Sequence, residues 1–163
     1  MQPKQATLDV IYENWGSYNT KLGRAIAPLT AEQLQLQPAP GMWPLEQIVQ
    51  HIIGVRAGWF SGTLQDEDAA MDAYMAWGQR DSPSRSAAEL VRGLDDTWTF
   101  IASRLRRWTP EEYAMTFPDE GDDGQTFDVS RNWVFYHVLE HDLHHGGEIS
   151  LLLGMNKLSG PDI

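Results

Sequence analysis

The five histidines of the chain fall in two places: His51 stands alone, and His137, His141, His144 and His145 crowd into one short stretch. On a helix turning about 100° per residue, His141 and His145 lie at the centre of the apolar stripe of Val134, Val138, Ile149 and Leu152. Their imidazoles then point the same way, about 6 Å apart along the axis. One histidine in such a stripe is commonly a satisfied core residue, but two side by side each need polar partners on burial. A shared divalent metal satisfies both lone pairs at once. Two ligands rarely complete a site. His51 lies on the flank of its own apolar stripe, so it can face the interior but need not. With it, three neutral imidazoles and a water would form the open kind of site that activates a small ligand. Zn²⁺ and Ni²⁺ suit imidazole best, and Fe²⁺ and Mn²⁺ are compatible with it.

The same run supports a rival reading. His137, Glu140 and His141 spell H-x-x-E-H, the inverted metalloprotease pattern, in which Glu140 would be the general base. That chemistry needs a carboxylate ligand well downstream, where only Glu148 and Asp162 follow, apart from Asp142 beside the motif itself. His137, His141 and His145 together span about 12 Å of helix axis and cannot share one ion. His137 therefore competes with His145 for one place or stays outside the ligand set. His144 points off the stripe, to solvent or an interface.

Composition narrows the setting. Cysteine is absent, which excludes disulfides, thiolate ligands and a cysteine nucleophile, and leaves imidazole and oxygen as metal donors. Lys and Arg total 12 against 23 Asp and Glu, a formal net charge of −11 that repels phosphate backbones and argues against nucleic acid as a partner. No signal-peptide core or membrane-length apolar run is present, so the expected location is the cytoplasm. The 163 residues suit one domain, 1–163, and seven tryptophans supply large surfaces for its core.

Four segments carry the helical periodicity that must position the histidines. In the first, Leu8, Ile11, Tyr12, Trp15, Tyr18, Leu22 and Ile26 share a face. Thr30 and Gln33 then form a capping box, and the Pro- and Gly-rich stretch 37–44 is a connection. Pro44 suits the first turn of the second helix, whose stripe runs through Leu45, Ile48, Val49, Ile52, Val55 and Trp59 and ends near Gly62. The third spans 86–108, and the fourth runs from an N-cap at Ser130 to a C-cap at Gly154. Residues 64–85 form a long crossover with room for a short helix. Between the third and fourth helices, the acidic run 119–123 reads as a solvated turn, since its spacing does not suit a calcium loop. Its flanks, 113–117 and 126–129, can pair as a small hairpin. The predicted fold class is all-α, a four-helix bundle with one long crossover.

Residues 131–154 resemble the last helix of the DinB/YfiT-like superfamily, whose members carry H-x-x-x-H, then Gly, then Glu or Gln, before an apolar tail. Here those are His141, His145, Gly146, Gly147 and Glu148. Residues 43–59 resemble the family's second helix, and the histidine there matches His51. The resemblance implies a bundle of up-down-down-up topology, a divalent metal on His51, His141 and His145, and frequent homodimers. Some relatives are transferases or isomerases that use a low-molecular-weight thiol, and the metal lowers the thiol pKa.

Two functions follow as expectations. The first is a metal-dependent thiol S-transferase, with Glu148 and Glu140 as candidate proton acceptors and Arg56, Arg131 and Asn132 as candidate contacts for the thiol. The alternative is a non-catalytic metal-binding stress-response protein. The fourth helix also carries a second apolar stripe, Phe135, Tyr136, Leu139 and Leu143, and a helix apolar on two sides needs cover on both. A homodimer would supply it, or else the 64–85 or 109–129 connection would fold across.

Overall fold

The structure, a computed structural model, describes residues 6–66, 68–79, 81–121 and 123–162. Helix α1 (Ala6–Ile26) buries Trp15, Tyr18, Leu22 and Ile26, the later part of the predicted stripe. The short α2 (Ala31–Leu34) is closed by the Thr30/Gln33 capping box. Helix α3 (Leu45–Ala57) starts one residue later than expected, so Pro44 is its N-cap rather than its first turn. It does not stop at Ala57 but widens into a π-helical turn, Gly58–Thr63, which buries both Phe60 and Leu64 and lays Trp59 against Trp133 and His137. The crossover holds α4 (Ala69–Met75), capped by Asp68, and a 3₁₀ turn at Ala76–Gly78.

Helix α5 (Ala87–Leu105) is capped by a Ser86/Glu89 box, and α6 (Pro110–Tyr113) leads into the hairpin. Strands β1 (Thr116–Glu120) and β2 (Thr126–Ser130) pair antiparallel, Thr116 opposite Ser130 and Glu120 opposite Thr126. The turn between them is closed by Gly121 N donating to Gln125 O at 2.9 Å, and Asp122 of the acidic run lies outside the described residues. Ser130 caps the last helix, α7 (Arg131–Met155), which passes Gly154 and ends on Asn156.

Side-chain contacts fix the bundle's directions. Trp15 and Asn19 of α1 meet Trp98 and Asp95 of α5, so these helices run antiparallel. Ile53 reaches Gly93 and Arg56 reaches Leu94 and Thr97, so α3 and α5 run parallel. His51 lies by His145 and Trp59 by Trp133, so α3 and α7 are antiparallel. The order is up-down-down-up, and the parallel pair is what the long 64–85 connection makes possible. No helix among the described residues is long and apolar enough to cross a membrane.

Candidate metal centre

Two helices supply the site. His51 faces α7 from the middle of α3, and His141 and His145, one turn apart on α7, face back. The Nε2 atoms of His51 and His141 stand 3.0 Å apart, and the ring centroids of the three histidines lie 4.4–5.0 Å from one another. One ring nitrogen from each lies within 4.8 Å of the others. Trp43 closes one side, edge-on to His51 at 4.8 Å and stacked towards His145 at 6.5 Å. All three histidines are partly buried.

The donor set fits a divalent ion. Imidazole nitrogens at the usual ~2.0–2.1 Å from zinc stand roughly 3.3 Å apart in a tetrahedron, close to the His51–His141 separation. His145 Nδ1 is held 2.7 Å from Glu148 Oε2, so its Nδ1–H donates to the carboxylate and Nε2 carries the free lone pair. Nδ1 of both His51 and His141 is buried without a hydrogen-bond partner among the described residues, and it is their Nε2 atoms that face each other. With three protein ligands, one tetrahedral position would stay open.

The electrostatics favour the neutral, ligating form. Burial, reinforced by the neighbouring His145, His51, His137 and His144, drives the His141 pKa down to about 3. Burial and His145 also hold His51 below the ordinary histidine value, against the opposing pull of the Gly78 backbone and Glu148.

His137 is set apart. It stacks on Trp133 at 4.7 Å and meets Trp59, with its ring centroid 6.4 Å from that of His141. His144 is exposed and lies 3.5 Å from the other oxygen of Glu148. His144, His145 and Glu148 form a second, more exposed donor group that shares two residues with the first. Glu140 is exposed and makes no hydrogen bond to the three histidines, so of the two candidate proton acceptors only Glu148 reaches them.

The candidate thiol contacts are corrected by their packing. Arg56 is fully buried and its guanidinium grips Asp142, with Nη2 to Oδ2 at 2.7 Å and Nε to Oδ1 at 3.1 Å. It also donates to Asn19 Oδ1 at 2.7 Å and Leu94 O at 3.1 Å, while Trp15 Nε1 donates to Asp142 at 2.6 Å. This network joins all four long helices directly behind His141. Arg131 lies over Trp108 and Phe117 at the far end of α7, and Asn132 is exposed beside it. The pattern carried the signal: Arg56 continues the Val49–Ile52–Ile53 stripe, and Asp142 falls between Val138 and Ile149 on theirs. Opposite charges on two facing apolar stripes imply a buried pair.

Two separate clefts reach the histidines. One, of about 480 Å³, is lined by His145, Glu148, Trp43 and apolar side chains. The other, of about 360 Å³, is lined by His51, the π-helical turn and the backbone of Gly54, Gly58 and Gly78.

Fold and site together define a helical bundle with a three-histidine centre able to hold a metal. The DinB superfamily model matches residues 20–149. The chain belongs to the DinB superfamily. Similar solved structures include a DinB-like protein of Bacillus cereus ATCC 10987, 21% identical, covering 93% of each chain with a TM-score of 0.71. YfiT from Bacillus subtilis, described as a probable metal-dependent hydrolase with an unusual four-helix bundle topology, is 17% identical. It covers 97% of this chain and 92% of its own, with a TM-score of 0.72. A further DinB-like protein of Bacillus subtilis, YjoA, is 13% identical over 94% of this chain and 96% of its own, with a TM-score of 0.66. No curated protein matches the sequence.

Proposed function

We propose that the protein is a metal-dependent transferase that joins a low-molecular-weight thiol to a small electrophile. The observation that carries this reading is the pair of clefts, one reaching His51 and the other His145. Two approaches to one centre suit a reaction that brings two substrates together there. A divalent ion on His51, His141 and His145 would supply a positive charge that favours thiolate over thiol. Glu148 stands beside His145 with 42% of its side chain exposed, so it can accept, by way of water at the centre, the proton that the thiol releases and pass it to solvent. The sulfur electron pair then forms a bond to carbon, and the leaving group departs with the electrons of the bond it breaks. The buried Arg56–Asp142 pair holds α3 and α7 in register and so keeps His51 facing His141.

The test loads the protein with Zn²⁺ or Ni²⁺ and offers 1-chloro-2,4-dinitrobenzene with glutathione, cysteine and other small thiols in turn. Conjugation that chelation abolishes, with the fold intact, is the expected result. Protein-dependent conjugation, above the uncatalysed rate, that survives complete chelation would remove the metal from the mechanism. The description of YfiT as a probable metal-dependent hydrolase favours a second reading, metal-dependent hydrolysis. Ester or amide cleavage by the loaded protein, with no thiol conjugation, would establish it instead. Metal binding with no turnover of either kind would leave a non-catalytic metal-binding protein.

A further inference from the structure

We propose that the cleft beside His145 and Glu148 binds the electrophilic substrate, and that this substrate is a small, uncharged, largely apolar molecule. The inference rests on the transferase reading for the word substrate, but the cleft's chemistry stands independently of it. Ile48 and Leu152 are buried at the cleft, while Met42, Leu151 and Met155 remain 51%, 66% and 62% exposed around it. These three side chains come from the 37–44 connection and the end of α7, segments far apart in sequence that both line this cleft. Exposed apolar side chains grouped at a concave mouth are characteristic of ligand sites rather than of ordinary surface. The volume of about 480 Å³ lies within the range of small-molecule sites.

Charge decides the substrate class. Among the described residues Glu148 is the sole carboxylate lining the cleft, and neither Lys nor Arg lines it. In the metal-free protein an anion would meet Glu148 with no Lys or Arg among the described lining residues to balance it, on a chain of net charge −11. A cation would be drawn to Glu148 but would have to shed hydration against the apolar side chains of Trp43, Leu151 and Met155 that line the rest of the cleft. A neutral ligand has no charge to desolvate on entering, and gains by covering Trp43, Leu151 and Met155. The cleft at His51, lined by glycine backbone with Thr63 and Gln79, offers the hydrogen-bonding groups that a polar thiol needs.

Binding can be read without metal or turnover. The probe is N-phenyl-1-naphthylamine, neutral and fluorescent in apolar surroundings, titrated into metal-free protein. Its anionic relative 8-anilinonaphthalene-1-sulfonate serves as the charge control. The wild type should bind the neutral dye at one site and the anionic dye at least about tenfold more weakly. Leu151→Glu and Met155→Glu should each weaken the neutral dye about tenfold or more. Both positions are exposed, and unchanged circular dichroism confirms the fold. Leu143→Glu, on a different apolar face, should leave binding unchanged. Equal affinity for the two dyes, absence of binding in the wild type, or loss through Leu143→Glu but not Leu151→Glu would overturn the proposal. Loss of dye binding in both cleft variants, with no conjugation by the metal-loaded wild type, would retain the cleft and sink the transferase. Conjugation left intact by Leu151→Glu and Met155→Glu would retain the transferase and sink the cleft.

Discussion

Of the three candidate ligands, His145 is the one whose hydrogen-bond partner is visible: Glu148 takes its Nδ1–H and leaves Nε2 free. Alanine at His51, His141 or His145 should abolish metal retention through gel filtration, whereas His137→Ala should retain it, because that ring is engaged by Trp133 and Trp59. Glu148→Gln should weaken metal affinity about 10–100-fold, as removal of an orienting carboxylate usually does. Metal retained in His145→Ala but lost in His137→Ala would reassign the site. Proton linkage gives a second prediction for the chelated protein. His141 titrates at about 3 when folded and near ~6.5 when unfolded, so between those values the unfolded chain binds the extra proton. Its contribution to stability is therefore present above pH ~6.5 and falls away as pH drops towards 3. His51 acts in the same direction. Between pH 6.5 and 5, the urea midpoint of metal-free wild type should fall more steeply than that of His141→Gln, and equal slopes would refute the linkage. His141 and His145 were legible because a helical wheel places them in a stripe of otherwise apolar residues. His51 was not, since a flank position is compatible with either face, and the resemblance to a known second helix was needed to choose. Glu140 was misleading: a motif spelled along the chain does not turn a side chain that the helix points outwards.

Helix α7 shows how little of close packing is written in composition. Its two adjacent glycines have opposite roles. A Cβ on Gly146 would overlap the Tyr18 hydroxyl of α1, whereas one on Gly147 would meet nothing within 4 Å. Tyr18 is itself fixed there, with its pKa raised to about 12 by burial and by the charge of Asp142. Gly146→Ala should destabilise by about 1–3 kcal/mol through overpacking. Gly147→Ala should stabilise by up to about 1 kcal/mol through helix propensity. Denaturant titration of the two variants checks both, and matching effects would show that α1 does not pack as described. Periodicity and capping chemistry revealed the four long helices, and Thr30, Ser86 and Ser130 mark true starts. The π-helical turn after α3 was illegible, because it is set by the need to bury Phe60 and Leu64 together while Trp59 meets α7. That is a tertiary demand, with no local signature beyond Gly58 and Gly62. The Gly54–Gly78 contact is of the same kind: a Cβ on Gly54 would strike the backbone of Gly78, which carries the crossover past His51.

At the scale of the whole molecule, the question is what covers the outer side of α7. The sequence shows two apolar stripes there and assigns the second to a partner copy or to a connecting loop. Part of the cover comes instead from α1, since Phe135 is 9% exposed and packs against Tyr12 and Trp15. Leu139 is half-buried at the same seam. What remains is a groove between α1 and α7 that Val10, Leu139 and Leu143 line, with Tyr136, 59% exposed, also on α7. Two-fold pairing places the same patch on both subunits and would bury these side chains against their own copies. Each subunit brings a charge of −11 to that encounter, so apolar burial works against long-range repulsion. We therefore expect a homodimer that tightens between about 20 and 200 mM salt, over which the screening length falls from about 20 Å to about 7 Å. Leu143→Lys should give a monomer by light scattering that still retains its metal, because residue 143 is 51% exposed and is absent from the His51–His141–His145 donor group. A wild type that stays monomeric at tens of micromolar and high salt, roughly where weak homodimers form, would refute the dimer. The groove would then be open surface that α1 already covers as far as stability requires.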